Sequence, residues 1–112
     1  MIRRISWIKT ALRDFQAFPA AVQEQMTTAL RIAAHGEKAD KAKPMKGLGT
    51  GVFEIALAYR GNAYRTVYAV QVGEDVWVVH AFQKKSTQGI KTPPREIDLI
   101  RARLKRLQEM LT

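Results

Sequence analysis

The chain has no cysteine and only two histidines, His35 and His80, among its 112 residues. Without cysteine a protein forms no disulfide, no thiolate zinc site and no cysteine-held iron–sulfur cluster, and two histidines are few for a histidine-based zinc site. The absence of cysteine is also typical of proteins from reducing compartments. We therefore expect no metal and no cofactor, and we expect a cytoplasmic protein.

Long apolar runs are lacking as well. No run approaches the roughly 18 residues of a membrane-spanning helix, and residues 1–7 are not followed by the apolar stretch of a signal peptide. Hydrophobic residues nevertheless make up 46% of the chain, which is sufficient for a core without disulfide or metal staples. The sequence predicts a single domain over residues 1–112 that does not enter a membrane.

Catalytic and phosphate-binding motifs are mostly missing. There is no Ser-His-Asp order and no glycine loop followed by Lys-Ser/Thr. The segment 47–51, Gly-Leu-Gly-Thr-Gly, is rich in glycine, but it precedes a strand pattern rather than a helix. We interpret it as a turn rather than a nucleotide cradle.

Acidic residues are few, since ten Asp and Glu stand against 19 Lys and Arg, for a net charge of +9. The excess is concentrated in residues 84–106, where only Glu96 and Asp98 oppose the basic side chains. Such a balance favours a polyanionic partner, either nucleic acid or an acidic protein; a basic surface that serves solubility alone is the alternative. The basic residues of this segment are Lys84, Lys85, Lys91, Arg95, Arg101, Arg103, Lys105 and Arg106.

The N-terminal third predicts one short strand and two helices. Residues 2–5 fit an edge strand, and Ser6 fits the N-cap of a helix with apolar side chains at i, i+4 and i+7. Pro19 ends this helix and can begin the next, which Gly36 ends in a left-handed conformation. Residues 37–43 are polar and predict a solvated loop.

The remainder changes to a period of two residues and then back to a helical period. Residues 52–59, 63–72 and 76–82 predict three strands joined by short turns, one of them Arg60-Gly61-Asn62. Thr92-Pro93-Pro94 predicts the start of a C-terminal helix over 93–111 with a clean apolar stripe. The predicted fold class is α+β, with an N-terminal strand and helical hairpin, an antiparallel β-sheet and a C-terminal helix.

Two ionisable residues fall on strand faces that are otherwise apolar. Arg65 shares a face with Ala63, and a charge there needs a partner or an anionic ligand; Glu54 on the neighbouring strand is one possible partner. His80 is expected on the face of Val76, Val78 and Phe82 if alternation is strict. A histidine in this position is either packed and hydrogen-bonded or catalytic, and the residues alone leave both alternatives open.

Phe82, Lys84 and Lys85 follow one another where the third strand ends. Lysines beside an aromatic ring suit single-stranded RNA, because the charges meet phosphates and the ring can stack on a base. A solvated loop is the alternative.

Taken together, four segments of the sequence resemble the phage-derived, HigB-like branch of the RelE/ParE toxin superfamily. The segments are 46–49 (Lys-Gly-Leu-Gly), 52–55 (Val-Phe-Glu-Ile), 63–68 (Ala-Tyr-Arg-Thr-Val-Tyr) and 80–88 (His-Ala-Phe-Gln-Lys-Lys-Ser-Thr-Gln). The resemblance covers almost the whole chain. It implies a toxin of a type II toxin–antitoxin module, with a helix-turn-helix antitoxin as protein partner and with mRNA on the ribosome and ribosomal RNA as nucleic-acid partners.

The resemblance also implies site residues for a metal-independent endoribonuclease. The basic residues that RNase members carry correspond here to Lys46, Arg65, Lys84 and Lys85, and His80 or Glu54 is the candidate general base. Phe82 and the basic side of the last helix are candidates for RNA binding. Those helix residues are Arg101, Arg103, Lys105 and Arg106.

Two other functions are compatible with the same resemblance. ParE-like members share the fold but inhibit DNA gyrase without nuclease activity, and a toxin fold can also persist as a binding protein without activity. An RNase needs Arg65 and the Lys84–Lys85 pair on one surface, whereas a gyrase inhibitor does not. The placement of these three residues therefore distinguishes the functions.

Overall fold

The computed structural model describes residues 2–84 and 91–111. These residues form three helices and five strands, in the order β1-α1-α2-β2-β3-β4-β5-α3, and the predicted α+β class is confirmed. The helices are α1 (Lys9–Gln16), α2 (Ala20–Ala34) and α3 (Pro94–Leu111). The strands are β1 (Ile5–Trp7), β2 (Ala42–Pro44), β3 (Val52–Tyr59), β4 (Asn62–Ala69) and β5 (Val76–Lys84).

The strands of the described residues lie in one mixed sheet in the order β1-β5-β4-β3-β2. β3, β4 and β5 form the predicted antiparallel meander. The two short edge strands differ, because β1 pairs with β5 in parallel and β2 pairs with β3 antiparallel. The parallel pairing of β1 is the one departure from the predicted all-antiparallel sheet.

Each face of the sheet is packed against a separate set of helices. α1 and α2 cover one face, where Phe15, Met26 and Leu30 pack with Ile55 and Tyr68 of the sheet. α3 covers part of the other face through Ile100, Leu104 and Leu107, which pack with Val67 and Val79. The sheet is therefore the middle layer. No helix in the described ranges is long and apolar enough to cross a membrane.

The N-terminal strand lies three residues later than predicted, and Ser6 does not cap a helix. The Ser6 hydroxyl donates a hydrogen bond to Asp75 Oδ2 at 2.6 Å, which ties β1 to the turn before β5. The backbone N–H of Ile8 still donates to Val78 O at 3.0 Å, so α1 begins only at Lys9.

The loop and turn predictions were correct only in part. Gly36 follows α2 with φ of +88°, as predicted. The predicted solvated loop at residues 37–43 is wrong, because it runs into β2 and Ala42 is fully buried. The hairpin turn has two residues rather than three: Arg60 and Gly61 have φ of +51° and +82°, and Asn62 already belongs to β4. That geometry matches the twist of the flanking strands.

Candidate nucleic-acid interface

The face of the sheet that α3 covers in part holds five of the eleven predicted site residues. Residues paired directly across two strands point to the same face, as do alternate residues along one strand. By this rule the pairing of β3, β4 and β5 brings five of the candidates to that face. They are Glu54, Arg65, His80, Phe82 and Lys84.

His80 reaches this face because β5 contains a bulge. Val67 of β4 pairs with His80 and the next residue pairs with Val78, so that Val79 is an extra residue in the ladder. A bulge interrupts the alternation of side chains. The predicted common face of His80 and Val78 is therefore wrong. Phe82 does lie on the face of His80, and the two rings stack at a centroid distance of 5.3 Å.

Arg65 and Glu54 form an ion pair on this face. Arg65 Nη1 donates to Glu54 Oε1 at 2.7 Å, and the two side chains are only 9% and 12% exposed. The contact is diagonal, since Arg65 lies opposite Ala56 and Glu54 lies opposite Val67. The sequence left open whether Arg65 pairs with a protein group or binds an anionic ligand. The structure contains the protein partner, Glu54.

Glu54 also contacts the segment that leads into α3. The Thr92 hydroxyl donates to Glu54 Oε2 at 2.7 Å, so each carboxylate oxygen of Glu54 accepts a hydrogen bond. Thr92 was predicted to cap the helix. Instead, α3 begins at Pro94, and the carbonyl of Pro93 accepts the first helical hydrogen bonds. Glu54 thus links Arg65 to the beginning of α3.

His80 is held between two charged residues of α3. Its Nε2 lies 2.7 Å from Glu96 Oε1 and its Nδ1 lies 2.7 Å from Arg103 Nη1. A guanidinium can only donate, so Nδ1 must accept and the ring proton must lie on Nε2, where it donates to Glu96. Both nitrogens are therefore engaged. His80 can take a proton from a substrate only if Arg103 first moves away from Nδ1.

The environment of His80 favours its neutral form. Burial lowers the pKa of His80 below its usual 6.5, and the charge of Arg103 lowers it further. The hydrogen bond to Glu96 and the charges of Glu96 and Asp14 act in the opposite direction without cancelling the effect of burial. Arg103 also donates to the carbonyl of Val79 at 3.1 Å, and burial lowers the pKa of its guanidinium.

Small side chains form a shallow floor beside the ion pair. Ala56, Ala58 and Ala63 occupy the half of the face nearest the β3–β4 turn, and they are half-buried or exposed. On the other half, α3 packs over larger side chains. Against such small side chains a planar base can lie close to the sheet. Arg65 borders this floor.

Lysines flank the floor and the ion pair. Lys84 pairs with Ala63 and lies half-buried on the same face, where its Nζ donates to the carbonyl of Lys91 at 3.4 Å. Lys43 of β2 pairs with Glu54 and is exposed. Phe82 pairs with Arg65, so an aromatic ring lies between Lys84 and His80 along β5. Lys85 lies outside the described residues.

Of the remaining predicted basic residues, Arg103 reaches this surface through His80 and the others lie elsewhere. Lys46 is exposed in the segment between β2 and β3, whereas Lys84 pairs with Ala63 at the other end of the sheet. Arg101 points toward the carbonyl of Gly47 at 3.5 Å, whereas Arg103 points to His80. The other two, Lys105 and Arg106, are exposed along α3.

Sequence reasoning missed Lys43, Thr92 and Glu96 as members of this site. Lys43 was assigned to a solvated loop because a three-residue edge strand leaves almost no periodic signal. Thr92 and Glu96 were interpreted only as features of a helix start. Their link to the sheet depends on how α3 packs, which the local sequence does not encode.

The described residues offer no metal centre. Within residues 2–84 and 91–111, no three His, Asp or Glu side chains are grouped closely enough to hold an ion. The chemistry available at this site is that of fixed cations, a carboxylate paired with an arginine, and a histidine locked by hydrogen bonds.

Three solved structures similar to this fold contain toxins. An arginine-to-alanine double mutant of E. coli toxin RelE in the free state matches with a TM-score of 0.64, 19% identity, and coverage of 95% of this chain and 98% of that one. The isolated E. coli RelE toxin matches with a TM-score of 0.58, 20% identity, and coverage of 94% and 98%. The RelBE2 toxin–antitoxin complex of Mycobacterium tuberculosis matches with a TM-score of 0.52, 20% identity, and coverage of 77% and 95%. At identities this low, the structural likeness shows the fold alone.

The sequence itself is covered by one family model. No protein of curated function matches it significantly, but the model of the phage-derived Gp49-like proteins (DUF891) matches residues 13–105. The predicted phage-derived family is confirmed by this model, whereas membership of the RelE/ParE superfamily and of its HigB-like branch stays a prediction, because the likeness to the RelE toxins shows the fold alone. The chain belongs to the phage-derived Gp49-like family and has the fold of the RelE toxins.

Proposed function

We propose that the chain is the toxin of a type II toxin–antitoxin module and that it cleaves mRNA on the ribosome without a metal ion. The similarity to RelE toxins supports the first part, and the RelBE2 neighbour, a toxin–antitoxin complex, supports a protein antitoxin. We further propose that the antitoxin contains a helix-turn-helix domain and that the toxin acts in the cytoplasm.

One observation carries the nuclease proposal: Arg65, Phe82 and Lys84 lie together on one sheet face beside the alanine floor. A permanent cation, a stackable ring and a lysine are the groups that a strand of RNA needs for its phosphates and one base. A gyrase inhibitor needs no such arrangement.

The Arg65–Glu54 pair suggests how the site engages a substrate. A phosphate that binds Arg65 replaces the Glu54 carboxylate, and the released Glu54 becomes free to accept a proton. The 2′-oxygen of the substrate then attacks phosphorus while its proton moves to Glu54. The P–O5′ bond breaks, and Lys84 protonates the leaving 5′-oxygen.

The products of this sequence are a 2′,3′-cyclic phosphate and a 5′-hydroxyl. Arg65 stabilises the negative charge that develops on the phosphorane oxygens, because a fixed cation in a partly buried site needs little reorganisation. In this scheme His80 positions α3 over the sheet and Glu54 is the general base. The alternative, in which His80 is the base, requires Arg103 to release Nδ1.

Expression of the chain in cells, followed by mapping of mRNA 5′ ends, tests the proposed function. We expect growth arrest and new 5′ ends inside translated codons. We expect Arg65→Ala to abolish both, and Arg31→Ala, which removes an exposed arginine of α2, to change neither. Growth arrest with intact mRNA and a DNA-damage response would instead support the gyrase inhibitor.

A further inference from the structure

A second surface lies at the β1 edge of the sheet and shares Arg103, the partner of His80, with the candidate nucleic-acid interface. It is a groove of about 710 Å³ between the beginning of α1 and the outer side of α3. Trp7 and Trp77 line it, together with Leu99 and Met110, which are 41% and 71% exposed. Clusters of large, exposed hydrophobic side chains are typical of binding surfaces in soluble proteins.

The outer side of α3 has the spacing of a helix-docking stripe. Its core-facing stripe is Ile100, Leu104 and Leu107. A second stripe lines the groove, with Leu99, Arg103, Arg106 and Met110 at intervals of four, three and four residues. The small Ala102 lies one turn after Leu99, where a partner backbone can approach closely. This second stripe extends about 16 Å, or three helical turns. Its members are Leu99, Ala102, Arg103, Arg106 and Met110.

The rim of the groove is basic. Lys9 and Arg106 are exposed along its borders, and none of the described residues that line it is acidic. Most of the lining surface is apolar, which suits leucine-like side chains better than the hydrogen-bonding edges of bases. The net charge of +9 opposes the docking of a second copy of this chain.

We propose that this groove binds an amphipathic helix of an acidic protein partner, with apolar residues at i, i+3 or i+4, and i+7 and with Asp or Glu flanking them. The apolar residues fill the space between Trp7, Leu99 and Met110, and the carboxylates meet Lys9 and Arg106. If the proposed function is correct, this partner is the antitoxin. The inference rests on the proposed function only for that identity.

A display selection on the full chain tests the proposal. The probe is a library of helix-forming peptides of about 16 residues, long enough for the three-turn stripe, with both the apolar and the polar positions varied. We expect enriched peptides to be acidic and to carry the i, i+3/i+4, i+7 pattern. Their binding should protect the only two tryptophans of the chain, Trp7 and Trp77, from acrylamide quenching.

Variants locate the binding. Met110→Glu and Leu99→Ala should each weaken the enriched peptides by about tenfold or more, as removal of a central apolar contact does. Ile2→Glu changes an exposed hydrophobic residue (66% exposed) outside the groove, and it should have no effect. Circular dichroism and thermal unfolding verify that each variant is folded.

Four results would overturn the proposal: no enriched peptide, enriched peptides that are neutral or basic, binding that survives Met110→Glu, or a dimer in sedimentation that Met110→Glu abolishes. Displacement of the selected peptides by an RNA oligonucleotide would assign the groove to RNA instead. None of these assays measures cleavage. A chain that binds the peptides but leaves mRNA intact would keep this inference and refute the proposed function.

Discussion

The positive charge of Arg65 is balanced by the carboxylate of Glu54 in the same chain. Its guanidinium lies 2.7 Å from Glu54, and both side chains are almost fully buried. A buried ion pair is costly to break from one side, because the remaining charge keeps its desolvation penalty. Arg65 therefore contributes both to stability and to the proposed cleavage. A substitution of Arg65 alone changes both at once.

We predict that Arg65→Ala lowers the free energy of unfolding by about 3–5 kcal/mol, because Glu54 is left buried without its countercharge. The double variant Arg65→Ala/Glu54→Ala should recover part of this loss and still fail to arrest growth. Urea denaturation and a growth assay on the same variants measure the two effects. A double variant that is stable and toxic would exclude both residues from the mechanism.

His80 predicts a dependence of stability on acid. Its pKa is lowered in the folded chain, so below about pH 6.5 the unfolded chain binds more protons than the folded one. The stabilisation that neutral His80 contributes should therefore be complete above about pH 6.5. It should be lost as the pH falls through the lower pKa of the folded state. The slope is at most about 1.4 kcal/mol per pH unit for one proton.

Urea denaturation between about pH 7.5 and pH 5.5 measures this slope. His80→Gln should remove most of it, since glutamine can still contact Glu96 and Arg103 but does not titrate. His35→Gln is the matched control, because it makes the same substitution at an exposed histidine after α2, away from Glu96 and Arg103. An equal slope in the His80 variant would contradict the neutral, locked state of His80.

At the scale of elements, α3 and β3 were predictable from sequence, whereas β2 and the β5 bulge were not. The i, i+3/i+4 stripe of α3 is a repeated signal over five turns, and β3 alternates without interruption from Val52 to Tyr59. β2 has three residues and ends at Pro44, too few to show a period. A bulge depends on which residues of two strands are paired, so strict alternation misplaces His80.

Some residues of the candidate site were predictable, but their contacts were not. Arg65 and Glu54 were identified, but their contact depends on a two-residue turn at Arg60-Gly61, where three residues were expected. A change of one residue in a turn shifts every cross-strand neighbour. The contacts of Thr92 and of Glu96 come from the packing of α3, over a separation of 38 and 16 residues respectively.

Replacing leucine with alanine should have a large effect on stability on one stripe of α3 and a small effect on the other. Leu104→Ala should lower the free energy of unfolding by about 2–5 kcal/mol, because Leu104 is 5% exposed in the core below α3. Leu99→Ala, on the outer stripe, should change it by no more than about 0.5 kcal/mol. Chemical denaturation of both variants measures the two changes in the free energy of unfolding. Equal effects would mean that α3 presents a different side to the sheet.

At the scale of the molecule, positive charge is present on several surfaces, and only part of it lies by the proposed RNA site. Lys43 and Lys84 flank the sheet face, Lys9 and Arg106 border the groove, and Arg103 is tied to His80. Within residues 84–106, Lys84 therefore lies at the first surface and Arg106 at the second. We assign the first to RNA and the second to an acidic protein.

We predict that the ribosome affinity of the chain falls steeply with salt and that the Lys43 and Lys84 face supplies part of this slope. Each phosphate contact contributes about 0.7–0.9 to the slope of log affinity against log salt. Lys43→Ala/Lys84→Ala should flatten it by up to about two units. Arg13→Ala/Arg31→Ala removes the same charge from exposed positions on the α1–α2 layer and should change it less. Equal flattening by both pairs would show that charge alone matters.

The central claim is that the Arg65–Lys84 face cleaves mRNA only when the ribosome presents it. The most direct measurement incubates the purified chain with one mRNA, either free or held in a translating ribosome, and determines the ends of any fragments. We predict fragments with 2′,3′-cyclic phosphate and 5′-hydroxyl ends from ribosome-bound mRNA alone, and none when a 2′-deoxynucleotide replaces the nucleotide at the cut. Intact mRNA on the ribosome, or equal cleavage of free mRNA, would contradict the account.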